Sequence, residues 1–121
     1  MDLSFLSNLL TTIEAVLGFS IMILVHELGH FLAAKRIGVK VEAFSFGFGP
    51  YIGKRWGETE YRLSLIPIGG YVKMLGEQRE EGKPPETRSF VSQSVGRRTL
   101  VYIAGPFMNV VLGLLAFIVA F

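Results

Sequence analysis

The sequence predicts a membrane protein, mainly α-helical with a small β module, in which two transmembrane helices flank a short antiparallel β meander. Half of its 121 residues are hydrophobic, a proportion typical of membrane proteins. Two long apolar runs lie near the ends of the chain, and all twelve Lys and Arg residues lie between Lys35 and Arg98. The chain has no cysteine, so disulfides and thiolate metal ligands are excluded.

The first predicted element is a transmembrane helix over residues 1–36. Its apolar run, from about residue 5 to residue 34, exceeds the roughly 20 residues that cross a bilayer. A rotation of 100° per residue places a stripe on the same side of this helix as Glu27 and His30: Thr12, Val16, Phe19 and Ile23. We expect this stripe to face the protein interior.

The same helix carries the sequence His26-Glu27-Leu28-Gly29-His30. Helix positions four apart lie one above the other, so His26 and His30 can direct two imidazole nitrogens at one ion. Two histidines at this spacing with Glu27 after the first form the H-E-x-x-H motif, which predicts Zn²⁺ and a glutamate general base. His26 and His30 are therefore the predicted metal ligands, and Glu27 is the predicted catalytic residue.

A structural alternative is a buried polar cluster that holds helices together without a metal. Against it, His26 and His30 are the only two histidines of the chain, and both lie inside an apolar segment. Ionisable groups within a membrane span are costly and usually functional. The sequence therefore favours the metal site.

Residues 37–75 predict a membrane-associated β meander of three or four short strands. Apolar and polar residues mix here with turn signals at 47–50, 53–57 and 67–70. One interpretation is an amphipathic sheet on the membrane surface. The other is an exposed sheet edge that captures an extended peptide by strand addition.

Residues 76–98 predict a charged, solvated loop, because acids, bases and adjacent prolines crowd its first half. A second transmembrane helix follows over residues 99–121, which contain no charged side chain. Gly105, Asn109 and Gly113 recur every four residues and give this helix a narrow face with one polar side chain. Asn109 could bond to another helix or help to position a substrate.

The charge distribution predicts the topology of both spans. A basic stretch between two apolar segments is typical of a cytoplasmic loop, so we expect residues 35–98 in the cytoplasm and both termini outside. The same stretch could suggest a nucleic-acid patch, but its flanking spans indicate that the lipid bilayer is the partner and that nucleic acid is not.

Four segments together resemble the amino-terminal part of the site-2 protease family of intramembrane zinc metalloproteases. The closest branch is the bacterial regulator-of-sigma-E protease type. The matching segments are the histidine motif with the residues that follow it, and three Gly- and Pro-containing stretches: 26–35, 46–50, 67–74 and 104–109.

This resemblance implies that His26 and His30 ligate zinc and that Glu27 activates a water. It also implies that the sheet around Gly47, Phe48 and Gly49 dips into the bilayer and aligns substrate beside the metal. The implied substrates are single-span membrane proteins of the bacterial inner membrane, such as anti-sigma factors, or remnant signal peptides.

Members of this branch also carry one or more PDZ domains after the second span and a carboxyl-terminal helix whose aspartate completes the zinc site, and neither is present in these 121 residues. Because catalytic zinc sites use three protein ligands, we expect the isolated chain to be inactive. Two rival hypotheses are a non-catalytic protease-like module that binds peptides or helices, and a metal carrier or channel with the histidines as a transit site.

Overall fold

The computed structural model describes residues 3–77 and 87–121. Helix α1 spans Leu3–Ile37, strands β1 and β2 span Val41–Trp56 and Thr59–Met74, and helix α2 spans Val95–Ala120. Both helices are long and apolar enough to cross a membrane. The predicted fold class, two such helices flanking a small antiparallel sheet, is confirmed. In the predicted charged loop 76–98, residues 78–86 lie outside the described ranges.

The sheet consists of two long bent strands rather than several short ones. Strand β1 passes through the first predicted turn, where Gly47 and Gly49 have φ values of 87° and 88°, a backbone conformation that favours glycine. Of the second predicted turn, residues 53–56 belong to β1, and only Gly57 lies in the connection between the strands. The third predicted turn lies within β2.

These bends fold the two strands back on themselves, so that they pair with each other along three stretches. Residues 51–56 pair with residues 59–64, and residues 41–48 pair with the second half of β2, up to residue 74. Residues 43–46 also pair with residues 60–63. The first half of β1 therefore lies inside the sheet and is buried at alternate positions, which a simple meander would not require.

The hydrophobic core lies where the carboxyl-terminal half of α1 meets the sheet and the start of α2. It comprises five buried residues: Ala34, Val39, Val41, Phe90 and Val101. The prediction that this stripe of α1 faces the interior is wrong for its outer part, because the side chains of Val16 and Phe19 are 40% and 63% exposed. The buried residues of α1 are Ser20, Gly29 and Ala34, so packing begins nearly two turns before the histidine motif.

Helix α2 begins at Val95, four residues before the start of the predicted span. Ser94 caps it by accepting a hydrogen bond from the backbone N–H of Arg97 at 3.3 Å, which extends the helix into charged sequence. The helix continues through Pro106.

A group of charged side chains links the end of α1, the turn between the strands and the segment before α2. The Glu58 carboxylate, in the turn between the strands, accepts hydrogen bonds from both terminal nitrogens of Arg88 at 2.5 and 2.6 Å and lies 3.4 Å from Lys35 Nζ. Arg88 Nε also donates to the Gly38 carbonyl at 3.0 Å. The hydrogen bonds from Arg88 lower the pKa of Glu58 from its usual 4.5 to about 2.

Candidate active site

Helix α1 brings the two histidines of the motif together as their spacing predicts. His26 Nε2 and His30 Nε2 lie 3.0 Å apart, and the ring centroids are 4.6 Å apart at an interplanar angle of 81°. Both side chains are half-buried. For comparison, zinc–nitrogen bonds of 2.0–2.1 Å at a tetrahedral angle would place two ligand nitrogens about 3.3 Å apart.

The orientation of His30 is fixed by the backbone of α2. His30 Nδ1 lies 2.6 Å from the Val101 carbonyl oxygen, which can only accept a hydrogen bond. The His30 proton therefore lies on Nδ1, and Nε2 carries a lone pair. Zinc-binding histidines in proteins commonly donate their other ring N–H in this way.

The other ring nitrogen of His26 contacts the predicted polar residue of α2. Asn109 Nδ2 lies 3.3 Å from His26 Nδ1, so Asn109 bonds across to the first helix. Whether Asn109 also touches substrate stays a prediction.

Glu27 lies beside the two imidazoles and against the sheet. One ligand atom from each of His26, Glu27 and His30 can be chosen so that all lie within 4.8 Å of one another. The backbone N–H of Val72, in β2, lies near the Glu27 carboxylate. Strand β2 therefore packs beside the predicted base.

Two glycines let α2 approach this site closely. A Cβ atom on Gly29 would collide with the Ala104 carbonyl oxygen, and one on Gly105 would lie 2.6 Å from His30 Nε2 and 2.7 Å from His26 Nε2. A side chain at residue 105 would therefore occupy the space in front of the two nitrogens that are predicted to bind the metal. By contrast, Gly18 and Gly113 have no heavy atom within 4 Å of a Cβ position.

The residues present fit a zinc ion, although they supply only part of its coordination. Two imidazole nitrogens converge, one has its tautomer fixed for ligation, and Gly105 leaves room in front of them. Within residues 3–77 and 87–121, no His, Asp or Glu beyond His26, Glu27 and His30 joins the group. If Glu27 acts as the base, the described chain supplies two ligands.

The predicted substrate-binding segment lies one helical turn from the histidines. A Cβ atom on Gly69 would lie 3.3 Å from both Phe48 Cε2 and Ile23 Cγ2, so Phe48 packs towards α1 just before His26. Phe48 also lies 5.7 Å from Tyr71 between ring centroids. Gly47 and Gly49 supply the bend that presents Phe48, and their contact with substrate stays a prediction.

Sequence reasoning missed three contributors to this site: the Val101 carbonyl, the Val72 N–H and the space at Gly105. The first two are backbone groups, which leave no signal in residue identity. The four-residue recurrence of Gly105, Asn109 and Gly113 was a signal for the third, but it predicted helix packing rather than an opening at the ligands.

The sequence is similar to those of several bacterial proteins. It is 51% identical over 107 residues to a candidate zinc metalloprotease of Clostridium perfringens, which covers 88% of this chain and 31% of that protein. It is 46% identical over 123 residues to the regulator of sigma-E protease RseP of Escherichia coli. That match covers 98% of this chain and 26% of the relative. The chain thus spans about a third or less of these relatives. Because residues 14–121 match the model of Peptidase family M50, this chain belongs to that family of membrane metalloproteases.

Proposed function

We propose that this chain forms the zinc-binding and proton-transferring part of an intramembrane protease that cleaves single-span membrane proteins. The observation that carries the proposal is the pair of imidazole nitrogens 3.0 Å apart, beside a carboxylate, within a helix apolar enough to span a bilayer. The resemblance implies anti-sigma factors or remnant signal peptides as substrates, and the relative from Escherichia coli is named a regulator of sigma-E protease.

His26 and His30 would hold the zinc through Nε2. Zinc, when bound, supplies Lewis-acid chemistry that activates a water and polarises the scissile carbonyl. Glu27 takes the proton of the attacking water and transfers it to the leaving amine. The Val72 N–H lies near the Glu27 carboxylate and would help to hold it in place for both transfers.

The sheet is the candidate site for the unwound substrate. Peptide hydrolysis within a bilayer requires local unwinding, because a helix keeps its carbonyls in internal hydrogen bonds. The second half of β2 lies against Glu27 through Val72, so a substrate strand held near this half of the sheet would bring its carbonyl to the base. Ile52 and Leu65, each 74% exposed, give the sheet an apolar surface that suits a bilayer.

We place this protein in the inner membrane of a bacterium with residues 35–98 in the cytoplasm, since every Lys and Arg lies there. The third zinc ligand comes from a further part of the same enzyme, where the resemblance implies PDZ domains and an aspartate-bearing helix.

Substitutions at the motif test the division of labour between ligands and base. In protein expressed from the complete gene, His26→Ala or His30→Ala should abolish both zinc retention and cleavage, whereas Glu27→Gln should retain zinc and lose turnover. Glu14→Gln is the matched control, because Glu14 is exposed on the same helix. Zinc content and cleavage of a single-span substrate are measured for each.

Two results would count against the proposal. Substantial cleavage by Glu27→Gln would show that Glu27 is not the base. Peptide binding by wild-type protein without zinc and without turnover would favour the non-catalytic module instead.

A further inference from the structure

Asn109 is held through only one end of its side-chain amide. Nδ2 lies 3.3 Å from His26 Nδ1, whereas Oδ1 is buried and has no hydrogen-bond partner among the described residues. A rotation of 180° about χ2 exchanges the donor and acceptor ends with little change of shape. The surroundings of the amide therefore allow either end to face the ring.

The two orientations select different tautomers of neutral His26. When the NH₂ group faces the ring, His26 Nδ1 accepts, so the proton lies on Nε2 and is donated to His30 Nε2 at 3.0 Å. A hydrogen-bonded chain then runs from Asn109 through both histidines to the Val101 carbonyl. In this state His26 Nε2 has no lone pair for a metal.

We propose that Asn109 is a positioning residue whose amide rotates, so that Oδ1 accepts the Nδ1–H of His26 whenever His26 binds the metal. His26 Nε2 then presents its lone pair to the ion. The imidazole stays neutral, because the proton that leaves Nε2 for solvent is replaced by one gained at Nδ1. This inference rests on the proposed zinc site.

The two histidines differ in a way that supports this role. His30 faces a backbone carbonyl, which can only accept, so its ligating tautomer is permanent. His26 faces an amide, which can donate or accept. His30 is thus ready to bind in either state, and Asn109 determines when His26 becomes the second ligand.

Zinc affinity tests the role of the amide oxygen. In protein expressed from the complete gene and purified in detergent, competition with a chelator gives the zinc dissociation constant. Asn109→Leu, which keeps the size but cannot hydrogen-bond, should weaken binding about 10- to 100-fold. Asn109→Asp, which accepts but cannot donate, should bind zinc at least as tightly as wild type. The control is Val110→Leu, an exposed position on the same helix, which should match wild type.

Kinetics separate this role from direct substrate contact. In zinc-saturated Asn109→Leu, the KM for a single-span substrate should equal that of wild type. A raised KM with wild-type zinc affinity would assign Asn109 to the substrate and overturn the inference.

Two further results would overturn it. One is an Asn109→Leu affinity within about threefold of wild type, well short of the usual loss for a partner of a metal ligand. The other is an Asn109→Asp affinity about 10-fold or more weaker than wild type, and this comparison with wild type still decides if the Leu variant does not fold. His26→Ala in the same assay distinguishes a failure of the proposed zinc site from a failure of the inference about Asn109. Unchanged zinc binding there would refute the zinc site itself, whereas its loss beside a normal Asn109→Leu would refute only this inference.

Discussion

Replacing Gly105 by alanine should weaken zinc binding and cleavage by filling the space in front of the ligand nitrogens. An alanine Cβ would lie 2.6 Å from Cε1 and Nε2 of His30 and 2.7 Å from Nε2 of His26. Real Cβ atoms do not approach other heavy atoms this closely, so either the imidazoles or the α2 backbone must move. The His30 ring cannot shift without straining its 2.6 Å hydrogen bond to the Val101 carbonyl.

The size of the effect follows from the collision. Overpacking by one methyl group typically costs about 1–3 kcal/mol. If that cost falls on the zinc-bound geometry, it corresponds to a zinc dissociation constant about 5- to 150-fold higher. Helix propensity acts in the opposite direction, because alanine is favoured over glycine by about 1 kcal/mol in a helix interior. Reduced zinc binding would therefore not result from a weaker α2 helix.

Gly113→Ala provides a matched control for this experiment. It adds the same methyl group to the same helix at a position with no heavy atom within 4 Å. Zinc dissociation constants, metal content and cleavage rates should be measured for both variants in protein from the complete gene. If Gly105→Ala matched Gly113→Ala in all three, the opening at residue 105 would not be where the ion binds.

Four other predictions follow from the site and the charges. Cysteines introduced at Lys83 and Ser4 should react with impermeant reagents from opposite sides of the membrane, and labelling of both from outside would contradict the topology. Replacing Gly47 and Gly49 together by valine should reduce cleavage without reducing zinc content, because their positive φ values disfavour side chains; unchanged cleavage would make the sheet a scaffold only. Because the folded-state pKa of Glu58 is lowered to about 2, its stabilising contribution is present above pH 4.5 and is lost as pH falls towards 2. The difference in melting temperature between wild type and Glu58→Gln should therefore shrink between pH 6 and pH 3, and a constant difference would contradict the ion pair. Residues 1–121 expressed alone should insert into membranes but not cleave, and zinc-dependent cleavage that requires Glu27 would reveal a third ligand within the chain.

The parts of the fold that the sequence predicts well depend on local patterns. The length of the two apolar runs predicts both helices. The four-residue spacing of His26 and His30 predicts that their side chains meet, and their Nε2 atoms lie 3.0 Å apart. The exposed stripe at Val16 and Phe19 was not foreseen, because helical periodicity identifies a face but not which part of its length is covered. That depends on where the sheet and α2 pack.

The sheet was harder to predict because glycine has two opposite effects in strands. The pattern at Gly47 and Gly49 predicts a break between short strands, but the positive φ values of these residues bend one long strand without ending it. A Cβ on Gly70 would collide with the Ser45 carbonyl oxygen, so this glycine permits close strand pairing. Residue identity alone does not distinguish these roles from a turn.

The charges at the site provide a physical reason for a carboxylate as the missing ligand. His26 and His30 are neutral when they bind, and Glu27 is the one carboxylate grouped with them in residues 3–77 and 87–121. A divalent cation held by the two histidines beside the Glu27 carboxylate would leave an uncompensated positive charge inside an apolar span, where unpaired charge is costly. A third histidine would leave that charge in place. An aspartate from another helix would both complete the three protein ligands of a catalytic zinc site and neutralise the charge, while leaving Glu27 free to transfer protons.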